Sequence, residues 1–497
     1  MFSNPCRWTF CAFLAASAAP ADADDLLGLY REAIVADATF LSARADTAAQ
    51  RETLPQARAQ LLPNLSFSGT RGKNTTEQTS ESLLGPVTSE RDYDSHNYVL
   101  SLRQPLFRPY NFAAYQQARA RVDSADASLA WAAQDVAVRV GSAYFDALLA
   151  RSELDVNQAQ QDAYAAQLAY AEKNFAAGYG TRTDIDEARS RLDLAQAQAL
   201  ELKHRLEYLQ DALSALVDRP LTPLARLDPI RLELVNPDPD RLEDWAQEAE
   251  TVNPQLQTLR ARVEAAEQEV WKARSGHLPT LDLVAQRSRS ESESNTSIGV
   301  KYDTRMVGIQ LNIPLYSGGH VNSTVRQALS ELERQRQQLE AARRDIRLEI
   351  RKEFDTATQG VQWVRAYEQA VRSAEQTLFS TKKGFQAGKR NTLDILNAEQ
   401  SLAAAHRDLN RSRYQYLLAR LRLLSLVGRL DDAEMTRFNA CLTPDDRDGK
   451  AVEIDRFRST PVTGQPRRPE EPAPLPDELI SLKGEVSNRS GSDESDT

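Results

Sequence analysis

Val99–Leu106 reads VLSLRQPL, and Gly308–Leu315 reads GIQLNIPL. Around the first, Tyr98, Leu100 and Leu102 alternate with Val99, Ser101 and Arg103; around the second, Val307, Ile309, Leu311 and Ile313 alternate with Gly308, Gln310 and Asn312. Period-two alternation is a strand pattern, and a proline closes each segment. Most of the chain instead carries helical spacing. The two segments lie about 210 residues apart, and other pairs repeat at similar offsets, the signature of an internal duplication. Glu52–Leu65 (ETLPQARAQLLPNL) returns as Gln268–Leu281 (QEVWKARSGHLPTL), and Asn174–Asp184 (NFAAGYGTRTD) returns as Gly384–Asp394 (GFQAGKRNTLD).

Working outward, each alternating segment has a partner upstream. Leu65 and Phe67 oppose Asn64, Ser66, Ser68 and Thr70; Leu281, Leu283 and Ala285 oppose Thr280, Asp282 and Gln286. The polar stretches Lys73–Arg91 and Ser288–Ser297 lie between the partners, so each copy reads as an antiparallel hairpin with a long polar loop, at about 64–105 and 279–314. From Tyr110 to Ala177 no proline intervenes, which allows a helix of roughly 100 Å at about 1.5 Å per residue. Tip turns follow at about 178–184 and 384–394, with return helices after them. The proline-rich stretch around Pro220–Pro239 joins the copies. Asp24–Leu61 reads as the half-length helix matching Leu242–Gly276, with Ala33 aligned to Ala249, Asp37 to Asn253 and Arg44 to Arg260. The expected organisation is a signal peptide at 1–23, repeats at 24–239 and 240–430, and a disordered tail at 431–497, proline- and charge-rich at Pro466–Pro476.

Composition agrees with long helices. Charged residues make up 27% of the 497, glycine is scarce, and Ala, Gln, Arg, Glu and Leu dominate. After the N-terminus no apolar run is long enough for a transmembrane helix, and mean hydropathy is −0.53. Arg7, the apolar run Trp8–Ala19 and Ala21-Asp22-Ala23 read as a secretory signal with its cleavage site. Cys6 and Cys11 fall inside that signal, leaving Cys441 as an incidental free thiol in a polar tail. The net charge of −10 argues against nucleic-acid binding. The basic stripe Arg343, Arg344, Arg347 and Arg351 is interleaved with acids and reads as a solvated helix face.

Four alternating segments cannot remain an open sheet. In water the apolar face aggregates, and in lipid unpaired edges are costly. Four strands are too few for a wide barrel, so several chains must share one; three chains would supply about twelve strands. Tyr93, Tyr98, Phe107, Tyr110, Tyr302 and Tyr316 fit interfacial girdles. Helices continuing from the strands would form a tube.

These residues resemble the TolC family of outer-membrane ducts. The resemblance is carried by Ala57–Leu65 (ARAQLLPNL), His277–Leu283 (HLPTLDL), Leu311–Val325 (LNIPLYSGGHVNSTV) and Gly384–Asp394, and it extends over about Asp24 to Leu430. It implies a mainly α fold with a small β part: a homotrimeric twelve-stranded outer-membrane β-barrel continued by a long periplasmic α-helical barrel. It also implies partners, namely a periplasmic adaptor protein, an inner-membrane ABC, RND or MFS transporter, and outer-membrane lipid. The implied role is export of drugs or of proteins by type I secretion. By motif, Thr183 and Asp184 follow the first tip turn, Arg390 matches an arginine whose bonds hold the tip shut, and Asp394 matches a pore-facing carboxylate. Two positions depart from the family pattern: Phe385 stands where a tyrosine is usual, and Asn397 where a second pore-facing aspartate is usual. The resemblance thus implies a gate with fewer latches and a less negative constriction. Read on their own, Asp184 and Asp394 could equally serve exposed amides at helix starts.

No catalytic constellation stands out. The histidines are dispersed without metal-ligand spacing, and neither a phosphate loop nor a nucleophile elbow is present. No enzyme, cofactor or metal is expected. The alternative, a periplasmic coiled-coil adaptor or scaffold, would explain the helices but not two amphipathic hairpins at equivalent places.

Overall fold

The computed structural model describes residues 23–83, 85–294 and 296–443. The leader through Asp22, with Cys6 and Cys11, and the tail from residue 444 onward lie outside the described residues. In chain order the elements are α1 (Leu26–Ala36), α2 (Ala38–Arg51), α3 (Thr53–Ala59), β1 (Asn64–Ser82), β2 (Gly85–Phe107), α4 (Pro109–Ala176) and α5 (Arg182–Val217). They continue with β3 (Arg226–Leu227), α6 (Leu242–Val252), α7 (Pro254–Arg274), β4 (Thr280–Glu291), β5 (Lys301–Asn312), α8 (His320–Gln386), α9 (Thr392–Leu426), α10 (Asp432–Ala440) and β6 (Leu442–Thr443).

Each half-length arm, which reads as one helix, is broken. The breaks fall at Asp37 and Asn253, the residues that the duplication aligns, and both leave helical geometry with ψ of 114° and 121°. Each caps the next helix. The Asp37 carboxylate accepts from the Phe40 N–H at 2.8 Å, and the Asn253 amide oxygen accepts from the Leu256 N–H at 3.0 Å. Pro254 adds to the second break, because proline suits the first helical position and disfavours helix at the residue before it. A second break at Glu52 separates α2 from α3.

The polar stretch of the first hairpin differs from the expected loop. β1 and β2 stay paired from Asn64↔Arg103 to Ser82↔Gly85. Thr suits a pleated strand, and its hydroxyls bond across this one: Thr75 with Asp92 at 2.5 Å, Thr79 with Thr88 at 3.1 Å. In the second hairpin β4 runs on to Glu291 before its loop begins. The sheet order is β1-β2-β4-β5, with β2 and β4 joining the hairpins and a register irregularity between Pro105 and Phe107. β1 and β5 are its open edges.

The register sorts side chains onto two faces, since directly opposed residues share one. Leu65, Leu102, Ala285 and Val307 form one row, and Leu283 with Ile309 the next. This face is exposed at Leu65, Phe67, Val307, Ile309 and Leu311. The other carries Ser66, Ser101, Gln286 and Met306. Tyr93 and Tyr302, opposite Asn74 and Ser290, fall on that polar face and so cannot join a girdle on the apolar one; Tyr98 and Phe107 stay on the apolar side. Where β2 passes into α4, Arg103 and Arg108 both donate to the buried carboxylate of Asp282, at 2.5–3.0 Å.

α4 has 68 residues and α8 has 67, each about 100 Å long at 1.5 Å per residue. α4 packs against α5, α7 and α9, and α8 against α7 and α9. The largest apolar cluster lies midway along them, around Leu26, Leu29, Tyr144, Phe145, Trp245, Ile350, Tyr416 and Leu421. Tyr144 and Tyr416 pin the proline-rich connection, donating to the Ala225 carbonyl at 2.8 Å and the Val235 carbonyl at 2.9 Å.

The tail expected to be disordered from residue 431 begins with structure. Asp431 caps α10, accepting from Ala433 and Glu434 N–H, and Met435 and Phe438 bury into the main cluster. β6 then pairs with β3, Leu442 opposite Leu227. Spaced three apart, Met435 and Phe438 lie on one helix face, too short a periodic signal to stand out in sequence. Cys441, expected to be an incidental thiol in a polar tail, is half-buried against the same cluster, and burial pushes its thiol up.

Two expectations follow. Phe438→Ala should cost roughly 3–5 kcal/mol, read as a lowered urea midpoint of the detergent-solubilised protein; a change under about 1 kcal/mol would show that α10 is not part of the core. The second concerns Asp37, whose carboxyl accepts Arg139 Nη2 at 2.7 Å, a bond that holds it below the usual carboxylate range. A lowered carboxyl stabilises the fold above its ordinary titration range and loses that contribution as pH falls through its folded value. Asp37→Asn keeps the capping oxygen and removes the charge. It should therefore lose less stability than wild type between neutral pH and pH well below the carboxylate range, as urea midpoints would report; parallel losses would refute this.

Candidate functional site

The tips of the two helical hairpins carry the residues singled out by motif, and each tip begins with a left-handed glycine. Gly178 has φ 78° and Gly388 has φ 70°, a conformation that costs other residues more. Both close a Schellman turn. Gly178 N–H donates to the Phe175 carbonyl at 3.0 Å and Tyr179 N–H to that of Asn174 at 2.9 Å; Gly388 donates to Phe385 at 3.0 Å and Lys389 to Gly384 at 2.9 Å. The return helices start with capping boxes. Thr181 and Asp184 exchange bonds at the start of α5, as Asn391 and Asp394 do at the start of α9.

Both carboxylates therefore serve first as helix caps. Asp184 accepts from Thr181 N–H at 3.0 Å and from the Thr181 hydroxyl at 2.6 Å. The Thr181 hydroxyl, with smaller help from the backbone and from Thr392 of the other tip, holds the Asp184 carboxyl below the usual value. Asp394 accepts from Asn391 N–H at 3.1 Å and stays partly exposed. Arg390 sits 3.8 Å from Asp394 of its own tip, with its guanidinium largely in solvent. Among the described residues it makes no hydrogen bond or ion pair with Thr183 or Asp184. Thr183 is exposed, and the capping hydroxyl is that of Thr181.

Phe385 packs edge-on against Tyr170, centroids 5.6 Å apart, and joins the cluster of Leu378, Ile395 and Ala398. Without a hydroxyl it binds α8 to α4 by shape alone. Asn397 is exposed and bonded within the chain: its amide oxygen accepts from Arg191 Nη2 at 3.2 Å, while Arg191 Nη1 donates to Gln400. Arg191 of α5 thus clips the two return helices together. Motif matching missed Thr181, Thr392, Tyr170, Arg191 and Gln400. Thr181 and Asn391 had a readable signal, a capping residue followed three later by an acid; Arg191 had none.

The chain can now be set beside known proteins. A family model described as "Outer membrane efflux protein" matches residues 29–217 and 245–429, one stretch per copy. The alkaline protease secretion protein AprF of Pseudomonas aeruginosa is 36% identical over 430 residues, covering 86% of this chain and 89% of AprF. The outer membrane protein TolC of Escherichia coli is 28% identical, covering 85% of each. Among solved structures, the outer membrane protein VceC of Vibrio cholerae superposes with a TM-score of 0.70 at 20% identity, over 81% of this chain and 96% of that one. With both copies matched by the family model, this chain belongs to the outer membrane efflux protein family.

Proposed function

We propose that three copies of this chain close their sheets into a twelve-stranded barrel in the outer membrane, and that their helices continue it as a tube across the periplasm. The observation that carries this is a four-stranded sheet with both edges open and its apolar face exposed, at the end of helices about 100 Å long. Pairing β1 of one copy with β5 of the next removes every edge, as lipid requires. The chain is an outer-membrane channel protein rather than an enzyme. An adaptor is disfavoured because a protein surrounded by water has no use for that exposed face.

The cargo this reading favours is protein, exported by type I secretion, because AprF is named for protease secretion. An inner-membrane transporter of the ABC class and a periplasmic adaptor would then dock at the tips. Efflux of small compounds through an RND or MFS pump is the second reading, supported by the family description. Fractionation tests the duct itself: a heat-modifiable trimer is expected in the outer membrane, and a soluble periplasmic monomer would sink the reading. Deleting the chain and comparing the secreted proteome with drug sensitivity separates the two cargoes.

The tips would form the gate. Arg390, 3.8 Å from Asp394 of its own tip and largely in solvent, would bond across to Thr183 or Asp184 of a neighbouring copy, and its planar fork suits such mixed acceptors. Asp394 would line the narrowest ring beside Asn397. Arg390→Ala should raise single-channel conductance in planar bilayers; an unchanged closed state would count against it. Asn397→Asp should increase block by divalent cations, more so combined with Arg191→Gln, because Arg191 would otherwise neutralise the new carboxylate. Identical block in all three proteins would remove Asn397 from the constriction.

A further inference from the structure

The apolar face of the sheet ends in arginines. Leu100, Arg287 and Arg305 stand in one row across β2, β4 and β5, and Tyr98, Arg289 and Asp303 in the next. Both rows share the face of Leu65, Leu102, Ala285 and Val307 and lie on its loop side. Like charges directly opposed on a sheet repel, yet Arg287 and Arg305 are cross-strand partners. A single carboxylate, Asp303, serves both Arg287 and Arg289, at 3.0 Å each. Arg305 is exposed and makes no hydrogen bond or ion pair among the described residues. Three guanidiniums against one carboxylate leave the patch short of anions.

We propose that Arg287, Arg289 and Arg305 form a docking surface for the phosphate groups of the phosphorylated glycolipid in the outer leaflet. The inference rests on the duct reading, which turns this face to lipid and the hairpin loops to the cell exterior. Arginine on a lipid-facing strand is disfavoured at mid-depth and tolerated near the interface, so the rows mark where the hydrocarbon ends. Tyr98, directly opposite Arg289, is the amphipathic residue expected at that depth. Arginine also holds phosphate in a bidentate fork that lysine cannot match. The next row outward has its own counter-charges: Glu291 faces Lys301 at 3.3 Å and His96 at 3.7 Å. Arg71, exposed opposite His96, shares that row, so the excess of positive charge runs from the band edge outward.

The test uses the full-length protein purified from outer membranes in mild detergent, with native mass spectrometry reading both oligomer and bound lipid. Wild-type trimer should retain bisphosphorylated lipid A about tenfold better than its phosphate-free counterpart, and excess inorganic phosphate should not displace it. The triple variant R287Q/R289Q/R305Q should lose that preference. Arg305→Gln alone breaks no hydrogen bond or ion pair among the described residues and should lower retention by about half a decade without disturbing the sheet. Equal retention by wild type and triple variant, or equal binding of the phosphate-free lipid, would overturn the inference while leaving the trimer intact in the same spectrum. Displacement by inorganic phosphate would mark a free-anion site instead and overturn it too. Monomers alone would reject the duct reading and this inference with it.

Discussion

A four-stranded sheet with an apolar face and two open edges cannot satisfy itself. Among the described residues β1 and β5 each leave a row of backbone groups unpaired, and Leu65, Phe67, Ile309 and Leu311 find no cover. Only further strands can complete the hydrogen bonding, and only lipid or another apolar surface can accept the face. The long helices follow from the same constraint, because the strands must pass directly into them if a tube is to continue the barrel. Asp282 holds that passage. Its buried carboxylate ties Arg103 of the last strand turns to Arg108 at the mouth of α4. Removing it would take from both guanidiniums the one acceptor that joins them across the junction.

Helices of nearly 70 residues need something besides apolar contact to fix how far one slides along another. Leucine and alanine stripes tolerate a slip of one turn; a buried charge does not. Glu153 of α4 is buried between Arg205 of α5 and Arg411 of α9, at 3.3 and 3.2 Å. Glycine contributes by shape. A Cβ on Gly141 would collide with Leu421, and one on Gly360 would come within 3.2 Å of the Tyr416 side chain, so α9 seats against α4 and α8 at fixed points. Such pairs add little net stability, but they penalise every wrong register.

The fold class was legible because alternation in a helix-rich chain is conspicuous, and because the chain states it twice. What escaped was whatever depends on a single residue's partner. The polar stretch 73–91 lacks apolar alternation, so it read as loop, although its threonines pair across the strands. Asp37 and Asn253 were aligned correctly, and Pro254 marks the second break in the sequence; at Asp37 the cap bond is visible only once Phe40 is placed. α10 was lost because two buried side chains in nine residues make too weak a period. At the tips, motif matching passed over the caps Thr181 and Asn391, and nothing in the sequence announced that Arg191, on another helix, bonds Asn397.

The tips also show how a duplicated wall acquires a specialised end. Aligned residue by residue, Gly180 in the first copy corresponds to Arg390 in the second, and Asn174 corresponds to Gly384. The Schellman turn brings these two positions close together, so they cannot both carry a large side chain. In the first copy the small residue comes late: a Cβ on Gly180 would lie 3.3 Å from Asn174 Cβ and 3.0 Å from the Phe175 nitrogen. In the second it comes early, and a Cβ on Gly384 would lie 2.9 Å from Arg390 Cγ. The glycine has changed sides of the same contact. That exchange lets a long cationic side chain leave the second tip without disturbing a turn the two copies otherwise share, including both capping boxes. Arg390 thus depends on Gly384 as much as on any acceptor: with alanine at 384 the guanidinium stem would have to move, and the tip would keep its fold while losing the direction in which its charge points.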